Sequence, residues 1–399
     1  MSKNRVIVLA VTTEKLTPTE AAERYGVSRQ WIYQLLKRYY AGGLEAVEPR
    51  SRRPKSNPNT VPDPVRTRII QLRHQLTSDG LDAGPVTIAW HLKQEHLAPP
   101  AVSTIRRILT SESLITPEPK KRPKSSLHRF QADQPNECWQ SDFTHWRLAD
   151  GTDVEILNWI DDHSRFLLAA TVYPRVTGQA VISEFSRLID EYGTPASTLT
   201  DNGFVYTTRF RGSRNGFEHL LSLLGITQKN GAPNHPQTQG KIERFHQTEK
   251  LWLSRQPVAT TLEELQQQLD TFRRIYNTQR PHRALDRRTP AEAYTAGIRA
   301  IPERRPNVHY RIRIDRVDAF GKVTLRHGAI LRHLGVGRAN AGKAVLLVVD
   351  DTRVLVTDQN TGEVLSENLI TPETNYWRNK QKSPGRWPGL FVNDDPDHA

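Results

Sequence analysis

The chain has 399 residues, with 56 Lys and Arg against 43 Asp and Glu, and a formal net charge of +13. That length suffices for two to four domains that each bury a core, and so large a positive charge points to a polyanionic partner. The sequence has no apolar run of about 18 residues and no signal-peptide pattern, which favours nucleic acid over a membrane, and its single cysteine, Cys138, excludes an internal disulfide or a Cys-based zinc site and fits a reducing, cytoplasmic setting.

Residues 1–48 read as a small helical module. Thr19–Tyr25 is a first helix, Gly26 a turn residue, Ser28 an N-cap, and Arg29–Tyr39 a second helix with Ile32, Leu35 and Leu36 facing inward. Two short helices about a Gly turn form the helix-turn-helix pattern, which would send the start of the second helix into a major groove. Arg29, Gln30 and Tyr33 are then the candidates for contacts to bases and phosphates. A basic, Pro-rich linker covers residues 49–61, with Arg52 and Arg53 as further DNA candidates.

Residues 62–116 repeat the helical theme. Val65–Leu76, Val86–Glu95 and Val102–Leu109 are helices, the last with Ser103 or Thr104 near its start and Arg106 and Arg107 outward. This suggests a second helix-turn-helix, followed by a Pro- and Lys-rich linker over 117–134.

From residue 135 the pattern changes. Trp139–Trp146, Val154–Ile160 and Phe166–Val172 read as strands, joined at Asp150-Gly151 and Asp162-His163-Ser164-Arg165. A helix over Gly178–Tyr192, a short strand at Ser197–Thr200, a helix near Gly216–Leu224 and a strand at Ile226–Gln228 come next. Together they predict one mixed sheet with packed helices. The loop Gly231–Gly240 then runs into a helix on which Gln239, Glu243, His246 and Lys250 share one face, while Ile242, Phe245 and Trp252 share another. Thr261–Asn277 is a further helix, and the domain closes by residue 298. Residues 299–375 alternate as short strands, which suggests a small β-barrel, and 376–399 have the composition of a disordered tail.

Three acids carry the chemistry. Asp142 lies mid-strand in an aromatic-rich segment where Asp is disfavoured, Asp201 lies where a strand enters an Asn-Gly turn, and Glu243 lies one turn into its helix. If the two strands are neighbours the carboxylates can converge, and convergent carboxylates without cations repel. Such a cluster suits Mg²⁺ or Mn²⁺, and two such ions can clamp an in-line phosphoryl transfer without a protein nucleophile. Asp142 is the expected bridging ligand, with Asp201 and Glu243 each completing one site. Taken singly, each acid also has a bland account as a turn residue or a first-turn helix acid.

The segments Trp139-Gln-Ser-Asp142-Phe-Thr, Ile160-Asp-Asp-His-Ser-Arg165, Thr200-Asp201-Asn-Gly, Asn234-His-Pro-Gln-Thr-Gln-Gly-Lys-Ile-Glu243-Arg-Phe and Tyr276-Asn-Thr-Gln-Arg-Pro-His-Arg-Ala-Leu285 resemble the DDE transposase and retroviral integrase superfamily. Integrase-like transposases of bacterial insertion sequences resemble the chain most. The resemblance implies an overall architecture of N-terminal all-α helix-turn-helix modules, a central α/β ribonuclease H-like core and a C-terminal small β-barrel. It also implies a catalytic and metal-binding triad at Asp142, Asp201 and Glu243, with Mg²⁺-dependent nicking at transposon ends followed by 3′-hydroxyl attack on target DNA. Gln239 and Lys241 would lie near DNA by the same resemblance, and a homo-oligomer is implied because two DNA ends must be held together. The spacing between Asp201 and Glu243 exceeds the usual one, and the excess falls in Thr207–Asn215, whose Arg209, Arg211 and Arg214 are candidate DNA contacts. Two alternatives stay open. One is a nuclease of the same fold acting on RNA in hybrids. The other is a non-catalytic DNA-binding regulator on an integrase-like scaffold.

Overall fold

A computed structural model describes residues 2–49, 60–115, 131–208, 215–230, 240–304 and 309–380. They form two compact units, Met1–Pro62 and Asp63–Ala399.

The first unit holds α1 (Lys3–Thr12), α2 (Pro18–Tyr25) and α3 (Arg29–Ala46). Thr17 and Glu20 cap the start of α2 reciprocally, and the Ser28 side chain accepts from the Trp31 amide at 3.2 Å to start α3. Ile32 and Leu35 are buried with Ile7, Val8, Ala21 and Val47, and Leu36 packs against them. The expected helix pair is present, and α3 extends past Tyr39 through a kink at Gly42 and Gly43. Helix α1 is an addition. Its run Val6-Ile-Val-Leu-Ala-Val11 is apolar all round and shows no helical period.

The second unit begins with α4 (Asp63–Ser78), α5 (Pro85–Gln94) and α6 (Val102–Ser111). Arg68 on α4 makes a forked pair with Glu95 after α5, at 2.8 and 2.6 Å. The cap of α6 is Ala101, with no side-chain hydrogen bond, and Ser103 and Thr104 lie in the first turn as expected. Pro99 and Pro100 hold the chain extended up to that point, so the helix starts at once. These three helices do not stand apart from the rest of the unit. A Cβ built on Gly80 would come within 2.8 Å of the Trp252 Cα, so the backbone after α4 lies directly on the later helix.

The centre is a five-stranded sheet in the order β3-β2-β1-β4-β5. Its strands are β1 (Cys138–Arg147), β2 (Asp153–Asp161), β3 (Leu167–Tyr173), β4 (Ser197–Thr200) and β5 (Thr227–Asn230). The first three are antiparallel, and β4 and β5 run parallel to β1. Strand alternation divides the sheet into two faces. Trp139, Leu157 and Trp159 pack with Phe185 and Phe217 from α7 (Gly178–Tyr192) and α8 (Gly216–Leu223). Ile156 and Ile160 pack on the other face with Ile242, Phe245 and Trp252 of α9 (Gly240–Leu253) and Leu265, Leu269 and Phe272 of α10 (Leu262–Gln279). The short α11 (Pro290–Thr295) comes after α10.

The C-terminal strands are β6 (Arg311–Arg316), β7 (Lys322–His327), β8 (Ile330–Gly335), β9 (Ala344–Val349), β10 (Arg353–Asp358), β11 (Val364–Leu369) and β12 (Tyr376–Trp377). They pair as a four-stranded sheet, β11-β10-β9-β6, and a three-stranded sheet, β12-β8-β7. The expected barrel is therefore corrected to two sheets among the described residues. An Asn368–Asn379 bridge joins them along one edge, and no ladder joins β6 to β7. Part of the expected tail is also ordered, because Trp377 is buried between the sheets and its indole donates to Thr371 O at 2.9 Å. Strand β9 is apolar at almost every position because both its faces are covered. Val345 and Leu347 enter the core between the sheets, whereas Leu346 and Val348 join the core of α7 and α8.

Candidate active site

Asp142 follows Ser141, which pairs with Thr200 in the parallel β1–β4 ladder, and Asp201 follows Thr200. The two acids thus leave adjacent strands side by side. By alternation Asp142 points to the face covered by α9, opposite to Trp139. Its Oδ1 accepts from the Phe143 amide at 2.8 Å, and Asp201 Oδ1 accepts from the Gly203 amide at 3.0 Å. Glu243 stands exposed in the first turn of α9.

The Asp142 carboxyl is pushed up to about 7, first by burial, then by the Asp201 charge and further by Glu243. Burial also raises Asp201. The Asp201 and Glu243 charges therefore both reach Asp142. His246, one turn beyond Glu243, has Nδ1 3.9 Å from Asp142 Oδ2. Burial and then the Lys250 charge push His246 down to about 4, so the imidazole stays neutral and offers no counter-charge. Hard oxygen donors with excess negative charge fit a divalent cation. Among the described residues, though, no three His, Cys, Asp or Glu side chains stand close enough together to hold one.

Behind Asp142 lies a buried polar pair. Asn158 is its cross-strand partner on β2, and Asn158 Nδ2 donates to Glu249 Oε2 on α9 at 3.0 Å. Glu249 is fully buried, and burial pushes its carboxyl up to about 8. Neither residue stands out in a search for reactive acids. The signal is that Glu249 interrupts the apolar spacing of Ile242, Phe245 and Trp252, and Asn158 interrupts an apolar strand.

Asp162 also proves more than a turn residue. It is fully buried and both its oxygens accept from Lys241 Nζ at 2.6 Å. Lys241, expected near DNA, is therefore held inward by an ion pair. Asp161 is buried as well and accepts from the Asn136 amide and from Ser164, both within the protein.

Arg29, Gln30 and Tyr33 are exposed on the first turns of α3, and Arg106 and Arg107 are exposed on α6. Arg52, Arg53, Gln239, Arg209, Arg211 and Arg214 lie outside the described residues. The described ends of the long loop, Thr207, Thr208 and Asn215, all bond to the buried Glu218 carboxylate. Among the described residues no helix is long and apolar enough to cross a membrane.

An integrase core domain model matches residues 132–236, and a second integrase core model matches 224–290. A helix-turn-helix domain model matches 5–55, and a homeodomain-like model matches 31–109. The uncharacterized 31.7 kDa protein of insertion element IS407 from Burkholderia multivorans is 27% identical over 191 residues, covering 47% of this chain and 67% of its own. The uncharacterized 39.2 kDa protein of insertion element IS476 from Xanthomonas euvesicatoria is 28% identical over 180 residues, covering 43% of this chain and 48% of its own. The HTLV-2 integrase catalytic core domain in complex with magnesium aligns at 18% identity and a TM-score of 0.31, covering 41% of this chain and 99% of that one.

Proposed function

We propose that this chain, which belongs to the integrase-core superfamily of transposases and retroviral integrases, is a transposase that binds the ends of an insertion element, nicks them and joins the 3′-hydroxyl to target DNA. The side-by-side placement of Asp142 and Asp201 on parallel strands, with Glu243 near enough to raise Asp142, supports this reading most. Asp142, Asp201 and Glu243 would hold the cations and act as catalytic residues, which requires the three to draw closer together than they lie here. When bound, two Mg²⁺ or Mn²⁺ ions would supply Lewis-acid activation of the attacking oxygen and charge stabilisation at the departing one.

The protein's own part is to orient and to bind. The β1–β4 ladder holds Asp142 on β1 and Asp201 directly after the end of β4, so both acids start from paired backbone. Neutral His246 leaves the negative charge of the site undiminished. Arg29, Gln30 and Tyr33 would read the duplex from α3, and Arg106 and Arg107 would meet phosphates from α6. Double-stranded DNA is the partner, and a homo-oligomer would hold two ends at once.

The test is incubation of the full chain with DNA flanking its own gene and Mg²⁺, with cut positions mapped. Nicks at the element ends that require the metal are expected. Binding without metal-dependent cutting would overturn the enzyme reading in favour of a DNA-binding regulator.

A further inference from the structure

Lys241 is the second residue of α9, a place where a cation opposes the helix dipole. Its partner explains the position. The Asp162 carboxylate is fully buried, and it takes both 2.6 Å bonds from Lys241 Nζ, a 2.5 Å bond from Gln140 Nε2 and a 2.8 Å bond from the Ala132 amide. Arg165 Nη1 stands 3.8 Å from the same carboxylate. Gln140 lies two residues before Asp142, on the same face of β1. One buried carboxylate thus ties the strand that bears Asp142 to the helix that bears Glu243.

We propose that Lys241 is a positioning residue, whose ammonium on Asp162 fixes the first turn of α9 and so sets Glu243 against Asp142. The proposal rests on the transposase reading for its purpose and on the ion pair for its geometry. A buried pair of this kind gains little stability over an apolar contact, because both charges lose water. What it supplies is a fixed register between two elements. The competing account, a Lys241 that chiefly serves a DNA phosphate, would draw the ammonium away from Asp162 and leave that buried charge short of its nearest cation.

The experiment compares the wild-type chain with Lys241→Met and Lys241→Arg. Three quantities are read: Mn²⁺ affinity by electron paramagnetic resonance, the salt dependence of DNA binding, and hydrogen exchange at the amides of residues 244–247, whose helical acceptors are the first-turn carbonyls of α9. Lys241→Met should weaken Mn²⁺ binding by about tenfold or more, as loss of a supporting contact does. It should leave the salt slope unchanged and speed exchange at the amides of residues 244–247 by roughly tenfold. Lys241→Arg, which can keep the pair, should restore most of both. A salt slope reduced by about one phosphate contact, with Mn²⁺ affinity and exchange unchanged, would overturn the proposal. If Lys241→Met has no cooperative melt, Lys241→Gln takes its place with the same readouts. If the wild type binds no Mn²⁺ and cuts no DNA, the transposase reading fails. The exchange measurement still decides the role of Lys241, and unchanged exchange overturns it.

Discussion

Gly178, the first residue of α7, lies against Gly362 in the turn between β10 and β11. A Cβ built on Gly178 would come within 2.6 Å of the Gly362 Cα. The Gly178 amide donates to Asn360 O at 3.2 Å and the Gly216 amide to Gly362 O at 2.8 Å, so one turn caps the starts of both α7 and α8. Because the obstacle is backbone, it cannot rotate away. Gly178→Ala should destabilise the chain by about 1–3 kcal/mol through overpacking. A thermal melt checks the loss, and limited proteolysis should cut first within 309–380. A variant that melts like the wild type would mean that the turn is not fixed on α7.

Asp142 carries a stability penalty that the proposed catalytic role would explain. Burial and the Asp201 and Glu243 charges disfavour its ionised form. Asp142→Asn should therefore raise the melting temperature at neutral pH while abolishing strand cleavage, the pattern of a site that trades stability for activity. Asp201→Asn and Glu243→Gln should also abolish cleavage, and all three variants should bind DNA as the wild type does. Turnover retained by any one of them would remove that residue from the triad.

How far the sequence alone reaches can be judged from particular residues. The strand-helix order from Cys138 to Leu253 is legible because hydrophobic period, turn residues and caps agree, as at Thr177 and Asn215, whose side chains cap α7 and α8. Asp142 stands out because an acid is disfavoured inside such a strand, whereas Asp201 reads alone as an ordinary turn residue and gains meaning only from the combined pattern. The pairing of Lys241 is not legible, because its sequence position says nothing of the buried Asp162, 79 residues earlier. Trp377 and α1 escape notice for a similar reason. One is a single apolar residue in a polar segment, and the other is apolar on every side, so only tertiary packing places them. The C-terminal sheets elude a barrel reading because strand count does not determine which edges pair.

The proposed DNA-reading role of α3 can be separated from its folding role. Ser28 caps the helix, and Ser28→Ala should cost about 1 kcal/mol of stability in the Met1–Pro62 unit. Arg29 is exposed in the first turn, and its loss should leave the melt within about 0.5 kcal/mol of wild type. Arg29→Ala should instead weaken binding to the element's end and lower the salt slope by about one. A fluorescence anisotropy titration at several salt concentrations measures this. Binding unaffected by Arg29→Ala would place the contact surface elsewhere.

Glu249 should give the fold a pH dependence that one isosteric change removes. Its carboxyl titrates at about 8 against an ordinary 4.5, because burial outweighs the Asn158 hydrogen bond and the Lys250 charge that favour ionisation. The other titratable group reaching it is the buried Tyr276 phenol of α10. The folded chain holds a proton that the unfolded chain releases above about pH 4.5. Stability from this group is thus full below that pH and falls as pH rises toward 8, by a few kcal/mol at most. The neutral acid can also donate to Asn158 Oδ1, which otherwise has no partner, as does Glu249 Oε1. Gln offers the same donor and acceptor without a charge. Glu249→Gln should therefore flatten the fall in denaturant stability between about pH 5 and 8, and Glu249→Ala should lower stability at every pH by leaving Asn158 unpaired. A Glu249→Gln curve parallel to the wild type across that range would show that the carboxyl is ionised in the folded chain.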